Sequence, residues 1–188
     1  MGKKIAVIFP GVGYHVDKPL LYYSRKLAGQ YGYEIVCADY GVLPSGIKGD
    51  GKKMYAAYEQ ALAYVTEGLS DIDFHAYDHV LFISKSIGTA VAASYDVKYG
   101  IGAGHIYYTP VEDSFQAIGT EGIVFHGTGD DWAKTEVISA ECEKRGLPLH
   151  LTEHANHSME TGDALQDLEI LKTIMEKTEQ YIKEFSGR

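Results

Sequence analysis

The 188-residue chain has an ordinary globular balance, with 45% hydrophobic and 23% charged residues, which excludes an intrinsically disordered chain. This length suits one hydrophobic core, and we predict a single domain over residues 1–188. The formal net charge is −9, and no cluster of lysine and arginine stands against it. Repulsion of a polyanion by such a surface argues against nucleic acid as a partner.

The N-terminus and the cysteines indicate a soluble protein of the cytoplasm. The first apolar run, residues 5–9, is too short for a signal-peptide core, and no stretch approaches the length of a membrane span. Cys37 and Cys142 are isolated in the sequence, which suits a reducing compartment rather than a disulfide framework. Cys37 lies in an apolar run and is predicted to be buried. We therefore expect a cytoplasmic protein that does not bind membranes.

Short apolar runs alternate along the chain with segments of helical spacing. The first predicted helix begins near Asp17, which can cap it, and tolerates Pro19 in its first turn. The six predicted strands are residues 5–9, 34–38, 79–84, 105–109, 122–126 and 147–151, and the later predicted helices include 87–98 and a final helix with apolar residues at Leu168, Leu171, Met175, Ile182 and Phe185. Continuously apolar strands separated by helices indicate a parallel sheet covered on both faces. The sequence therefore predicts an α/β fold, a three-layer αβα sandwich with a mostly parallel sheet of about six strands.

A serine flanked by small residues follows the third predicted strand. Ser86 stands where that strand turns into the helix 87–98, with Ser84 two positions before it and Gly88 two positions after it. A nucleophile elbow needs small residues at both positions, because the sharp turn that presents the serine leaves little room. Elbows usually have glycine at the first position, so Ser84 is a variation. The alternative is an ordinary turn in which Ser86 caps the helix.

Two later strand ends carry residues that could act with this serine. Asp130 and Asp131 follow the fifth predicted strand, where a carboxylate could accept a hydrogen bond from a histidine and fix its tautomer. Either aspartate could instead belong to a turn or cap the next helix, and we assign that role to Asp131. His157 follows the sixth strand in a loop from which an imidazole could reach the serine; a solvated loop histidine is the alternative.

Serine, acid and histidine thus occur in the order Ser86, Asp130, His157, each just past a strand. With these residues the chain resembles the α/β-hydrolase superfamily, and is similar to its small lidless esterases and dienelactone-hydrolase-like members. The match rests on three segments, 84–88, 126–130 and 155–158. The resemblance implies that Ser86 is the nucleophile, Asp130 the acid and His157 the base. Dienelactone hydrolases usually carry a cysteine nucleophile, so their substrate is not carried over.

The resemblance also implies an oxyanion hole and an open pocket. One backbone donor is expected to be Ile87, and the second Val12 in the loop after the first strand, with Gly13 and Tyr14 as alternatives. The short segment 110–122 leaves no room for a large lid. The pocket is expected to be lined by some of Tyr14, Tyr40, Tyr108, Phe115 and Trp132.

Two further segments match the sequence motifs of other kinds of site. Gly11 and Gly13 after the first strand, with Asp39 after the second, fit a nucleotide-binding Rossmann-like protein, but Val16 occupies the third glycine position. Residues 150–154 spell His-x-x-Glu-His, a zinc-protease pattern that works on a helix, whereas this segment is predicted to be a strand running into a loop.

The expected function is therefore that of a serine hydrolase, acting on a small-molecule ester or thioester through an acyl-enzyme. No metal and no organic cofactor are expected. The alternative is a non-catalytic binding protein of the same fold, because fold alone does not establish activity. The oligomeric state is left open.

Overall fold

The computed structural model of the chain describes residues 2–44 and 46–187, and within them six strands form one sheet. The strands are β1 (Lys4–Phe9), β2 (Glu34–Cys37), β3 (His79–Lys85), β4 (Gly104–Tyr108), β5 (Ile123–Gly127) and β6 (Leu149–Thr152). The α-helices are α1 (Pro19–Gln30), α2 (Gly51–Gly68), α3 (Ile87–Tyr99), α4 (Thr135–Arg145) and α5 (Ala164–Ser186), with short 3₁₀ helices at Phe74–Ala76 and Glu112–Gln116. The strand order is β2-β1-β3-β4-β5-β6, and every neighbouring pair is parallel.

Helices cover both faces of this sheet because its strands are apolar on both sides. Along β3, for example, Leu81 and Ile83 pack with α1 and α5, whereas Val80 and Phe82 pack with α2 and α3. Side chains alternate between the two faces of a strand, so a continuous apolar run supplies two cores. Helix α4 packs on the same face as α3. The predicted three-layer αβα sandwich is confirmed, and its sheet is entirely parallel.

The strand order reverses between β1 and β3, which are neighbours although α1, β2 and α2 separate them in the chain. In open parallel sheets, ligands bind beyond the carboxyl ends of the strands at such a switch point. The pairing of Phe9 with Ser84 brings the ends of β1 and β3 level. The loop after β1 therefore meets the turn after β3 at this point.

Two local predictions differ from the structure, and one helix was not predicted. Cys37 is exposed, because β2 is an edge strand whose outer side no other strand covers. Helix α1 begins at Pro19 with Lys18 at the N-cap, so Asp17 does not cap it and instead pairs with Arg25. Helix α4 had no predicted bounds, because its sequence has little amphipathic periodicity. Strand ends otherwise agree within two residues.

In the part of the chain that the structure describes, none of the helices has both the length and the hydrophobicity required to cross a lipid bilayer.

Candidate active site

Ser86 lies at the turn between β3 and α3 with a backbone conformation that is rare for a residue with a side chain. Its φ is 56° and its ψ is −126°, a strained combination that proteins keep where the surrounding structure imposes it. Ser86 occupies the N-cap position of α3, yet its side chain makes no capping hydrogen bond. Its Oγ lies 2.8 Å from Nε2 of His157 instead. The geometry therefore disfavours the helix-cap alternative.

The tight turn depends on small neighbours. A Cβ added to Gly88 would lie 2.5 Å from the carbonyl oxygens of Phe9 and Pro10, so α3 starts in direct contact with the end of β1. Ser84 is fully buried and its Oγ donates to the carbonyl of Ile106. Ser84 therefore takes no part in the contacts of Ser86 with His157.

Asp130 and His157 continue the hydrogen-bonded chain from Ser86. Oδ2 of Asp130 lies 2.7 Å from Nδ1 of His157, and its Oδ1 accepts the backbone N–H of Trp132 at 2.8 Å. The Asp130 side chain is completely buried. Asp131 is exposed, and its carboxylate pairs with Lys48 instead of His157. The N-cap of α4 is Lys134, so the predicted cap role of Asp131 is wrong for this helix.

The loop that carries His157 is held in an equally unusual conformation. Thr109, at the end of β4, has a φ of 41°, and its hydroxyl donates to the carbonyl of His157. His154 and Met159, on either side of His157, have φ values of 60° and 63°. With Ser86, these are the residues other than glycine at which the described chain adopts a positive φ. Such strain concentrates at functional sites, because it fixes side chains in one arrangement.

Burial and charge act in opposite directions on the two ionisable partners. Burial lowers the pKa of His157, the hydrogen bond with Asp130 raises it, and the charge of Lys85 adds to the lowering, so that the pKa ends below its ordinary value. Burial raises the pKa of Asp130, but the hydrogen bond and charge of His157, the N–H of Trp132 and the charge of His126 together outweigh burial and hold that pKa below its usual range. A neutral imidazole beside an ionised carboxylate is the state in which a histidine can accept a proton.

Two buried ionisable residues lie beside the hydrogen-bonded residues Ser86, His157 and Asp130, and the sequence analysis did not place either of them in the site. Lys85 is 1% exposed, its Nζ lies 5.1 Å from the ring centroid of Tyr14, and burial lowers its pKa to about 7. His126 is fully buried, with Nδ1 3.8 Å from Oδ2 of Asp130 and a pKa lowered by burial. A charged residue at the end of an apolar strand was the available signal for Lys85.

The predicted backbone donors lie at the switch point. Ile87 is the first residue of α3, so its N–H has no acceptor within the helix. In the loop after β1, the N–H of Tyr14 donates to the carbonyl of Gly11, which leaves Val12 and Gly13 as the candidate donors. A Cβ on Gly11 would lie 3.1 Å from Cβ of Ser86, so this loop packs directly against the elbow.

The five predicted aromatic pocket residues fall into two groups. Trp132 is half-buried against His157, Tyr14 lines a groove beside Ser158, and Tyr40 lines another beside the loop after β1. Tyr108 and Phe115 lie in the core instead. The hydroxyl of Tyr108 bonds to side chains on α1 and α5, and Phe115 packs with α4 and its own segment. Side chains point alternately to the two faces of a strand, so a residue at a strand end is buried when its side chain points toward a layer of helices.

The two other motifs lack the local structure they need. His150 lies on strand β6 with its ring centroid 5.0 Å from that of Phe125, and His154 lies in the following turn, so the His-x-x-Glu-His segment is not helical. Within residues 2–44 and 46–187, no three side chains of His, Cys, Asp or Glu converge as a metal site. The loop containing Gly11 and Gly13 runs four residues beyond Tyr14 before α1 begins, unlike a dinucleotide loop that opens a helix directly.

Comparison with known proteins finds the same architecture at low sequence identity. No family model and no curated protein sequence matches the chain. Among solved structures, Est1E from Butyrivibrio proteoclasticus with ferulic acid bound has a TM-score of 0.71 at 12% identity, covering 100% of this chain and 91% of that one. A serine hydrolase without a lid from Xanthomonas campestris has a TM-score of 0.65 at 12% identity, covering 98% and 83%. The Pyrococcus furiosus esterase Pf2001 has a TM-score of 0.68 at 12% identity, covering 98% and 84%.

These likenesses extend over nearly the whole chain and agree with its parallel sheet. The narrower similarity to dienelactone hydrolases stays a prediction. The chain has the fold of the α/β-hydrolase superfamily.

Proposed function

We propose that the protein is a serine hydrolase that cleaves a small ester or thioester through an acyl-enzyme. The observation that carries the proposal is the continuous chain of contacts from Ser86 Oγ through His157 to Asp130, at 2.8 Å and 2.7 Å. Three residues far apart in sequence meet within hydrogen-bond distance, in the geometry that nucleophilic catalysis requires. The esterase and lidless serine hydrolase among the structural neighbours agree with this assignment.

In this mechanism His157 acts as a general base and then as a general acid. Nε2 takes the proton of the Ser86 hydroxyl while Oγ attacks the carbonyl carbon of the ester. The carbonyl oxygen becomes an oxyanion, which the N–H groups of Ile87 and Val12 stabilise. The leaving alcohol or thiol departs with the proton from Nε2, and the acyl group stays on Oγ.

Water then completes the cycle. His157 removes a proton from a water molecule, the resulting hydroxide attacks the acyl carbon, and Ser86 Oγ leaves with the proton returned by Nε2. Asp130 accepts the Nδ1–H of His157 throughout, which fixes the tautomer and stabilises the imidazolium form. The carboxylate keeps its negative charge in every step.

A fluorophosphonate probe followed by peptide mapping tests the assignment. We expect Ser86 to be labelled, and the label to be lost in Ser86→Ala but retained in Ser84→Ala. Hydrolysis of p-nitrophenyl acetate should disappear in His157→Ala and persist in His154→Ala, with or without a strong chelator. Labelling at Ser84, or no labelling of folded protein, would overturn the mechanism and favour a non-catalytic binding protein. Activity that a chelator abolishes would favour metal-dependent chemistry instead.

A further inference from the structure

A groove of about 400 Å³ runs beside the elbow, between α2, α3 and the segment 111–117. Its walls include Met54 and Tyr58 from α2, Ala90 and Ser94 from α3, and Val111 after β4. Ile87, the residue after Ser86, also lines it. A concave, mostly apolar groove of this size is typical of a small-molecule site.

The groove adjoins the candidate active site through Ile87, which follows Ser86 in the chain. Ile87 packs in one hydrophobic cluster with Met54 and Tyr58 of the groove, with Val12 of the loop after β1 and with Trp132, which lies against His157. A carbonyl group bound between the amides of Ile87 and Val12 would therefore have this apolar surface beside it.

The chemistry decides which half of an ester enters the groove. His157 must give its proton to the leaving oxygen, so the leaving group has to lie on the His157 side of Ser86. The groove is lined by Ile87 and not by residues of the His157 loop. A second groove, of about 290 Å³, is lined by Ser158 and Met159 next to His157. Because the leaving group lies on the His157 side, the acyl half of the ester is the part that can enter the groove beside Ile87.

The polar groups of the groove further restrict this acyl group. The hydroxyl of Tyr58 donates to Ser94 Oγ, so these two groups are already paired. Asp113 is the charged residue among those that line the groove, and its carboxylate accepts a hydrogen bond from Gln116. A carboxylate at the end of the acyl group would meet the like charge of Asp113.

Resting on the proposed function, we infer that this groove is the acyl-binding site and selects neutral, apolar acyl groups longer than acetyl. Each methylene that the groove buries should raise kcat/KM by up to about fourfold. Hexanoyl should therefore exceed acetyl by a factor on the order of 10 to 100 with the same p-nitrophenyl leaving group. A hemiglutarate ester, of similar length but ending in a carboxylate, should react more slowly than hexanoate, and Asp113→Asn should narrow that difference.

Filling the groove tests the site. Ala90→Trp places a large side chain on its wall and should lower the hexanoate-to-acetate ratio of kcat/KM by about tenfold, on the scale of lost methylene burial. Ala90→Leu, a milder change, should lower the ratio less. Val97→Trp is the matched control, because Val97 is exposed on the same helix and does not line the groove; its ratio should stay near that of the parent. An unchanged ratio in folded Ala90→Trp, or preference for the hemiglutarate, would overturn the inference.

A binding measurement separates this inference from the proposed function. In Ser86→Ala protein, p-nitrophenyl hexanoate should bind by calorimetry, and adding Ala90→Trp should weaken that binding by about tenfold. If the parent hydrolyses no ester but Ala90→Trp still weakens hexanoate binding, the groove is a binding site and the protein is not a hydrolase. If the parent hydrolyses esters but Ala90→Trp changes neither the chain-length preference nor the binding, the protein is a hydrolase and the groove is not its acyl-binding site.

Discussion

The indole ring of Trp132 lies against the imidazole of His157, with ring centroids 5.0 Å apart and planes at 17°. The backbone N–H of the same residue donates to Asp130, so Trp132 contacts both partners of the hydrogen-bonded chain. Nζ of Lys48 lies 5.4 Å from the indole centroid and pairs with Asp131. The side chain of Trp132 thus holds the imidazole in place, and the loop before α2 helps to hold Trp132.

Removing this stacked ring should slow the reaction without abolishing it. Aromatic stacking is worth about 1 kcal/mol, so Trp132→Ala should lower kcat/KM for p-nitrophenyl acetate roughly fivefold. Trp132→Phe should keep most of the activity, because a ring remains over His157. The backbone bond to Asp130 is present in both variants, so their difference measures the ring alone. Equal losses in the two variants would contradict the role of stacking.

Replacing the buried carboxylate should have a much larger effect. Asp130→Asn removes the acceptor that fixes the His157 tautomer, and we expect kcat to fall roughly 10⁴-fold, as in other triads. Asp131→Asn is the matched control, since it removes an exposed pairing with Lys48 and only the smallest of the charge effects on His157, and its kcat should change little. If Asp131→Asn caused the larger loss, the acid would be Asp131. Steady-state kinetics on both purified, folded variants distinguishes these outcomes.

Lys85 should make stability depend on pH. Burial lowers its pKa from 10.5 to about 7, so between these values the unfolded chain binds more protons than the folded one. The free energy of unfolding contributed by this group therefore rises with pH over that window and is lowest below pH 7. Lys85→Met removes the buried charge while keeping similar volume. Its stabilising effect should be roughly 2 to 3 kcal/mol larger at pH 6 than at pH 9.

Urea unfolding of the parent and of Lys85→Met at the two pH values measures this difference. Lys52→Met, a change at an exposed lysine on α2, should alter the free energy of unfolding by no more than about 0.5 kcal/mol. A Lys85→Met protein that gains more stability at pH 9 than at pH 6 would show that the lysine is not held in a desolvated site.

Gly88 should be intolerant of even one methyl group. A Cβ there would lie 2.5 Å from two carbonyl oxygens at the end of β1, so Gly88→Ala must separate α3 from β1, and we expect a loss of roughly 2 to 3 kcal/mol. Gly29→Ala on α1 is the control, because a Cβ at that position would have no neighbouring atom within 4 Å. That change should be neutral or stabilising by up to about 1 kcal/mol. Thermal unfolding of both variants tests the contrast, and similar melting temperatures would refute the packing argument.

The amino-acid sequence determined the layered architecture of this protein through its local patterns. Apolar runs separated by helical segments predicted a parallel sheet between helices, because side-chain periodicity depends on which faces of an element are buried. The sequence also indicated Ser86, Asp130 and His157 as partners, because polar residues just past parallel strands collect at one edge of the sheet. These features are encoded within a few residues of each position.

The tertiary structure alone decided which of these residues touch and how deeply each is buried. Cys37 lies in an apolar run but is exposed, because the strand order puts β2 at the edge. Tyr108 turns into the core between α1 and α5, and Lys85 is enclosed beside Tyr14. Trp132 covers His157 across 25 positions of sequence. Burial and contact depend on elements that are distant in the chain, so no local pattern at these positions specifies them.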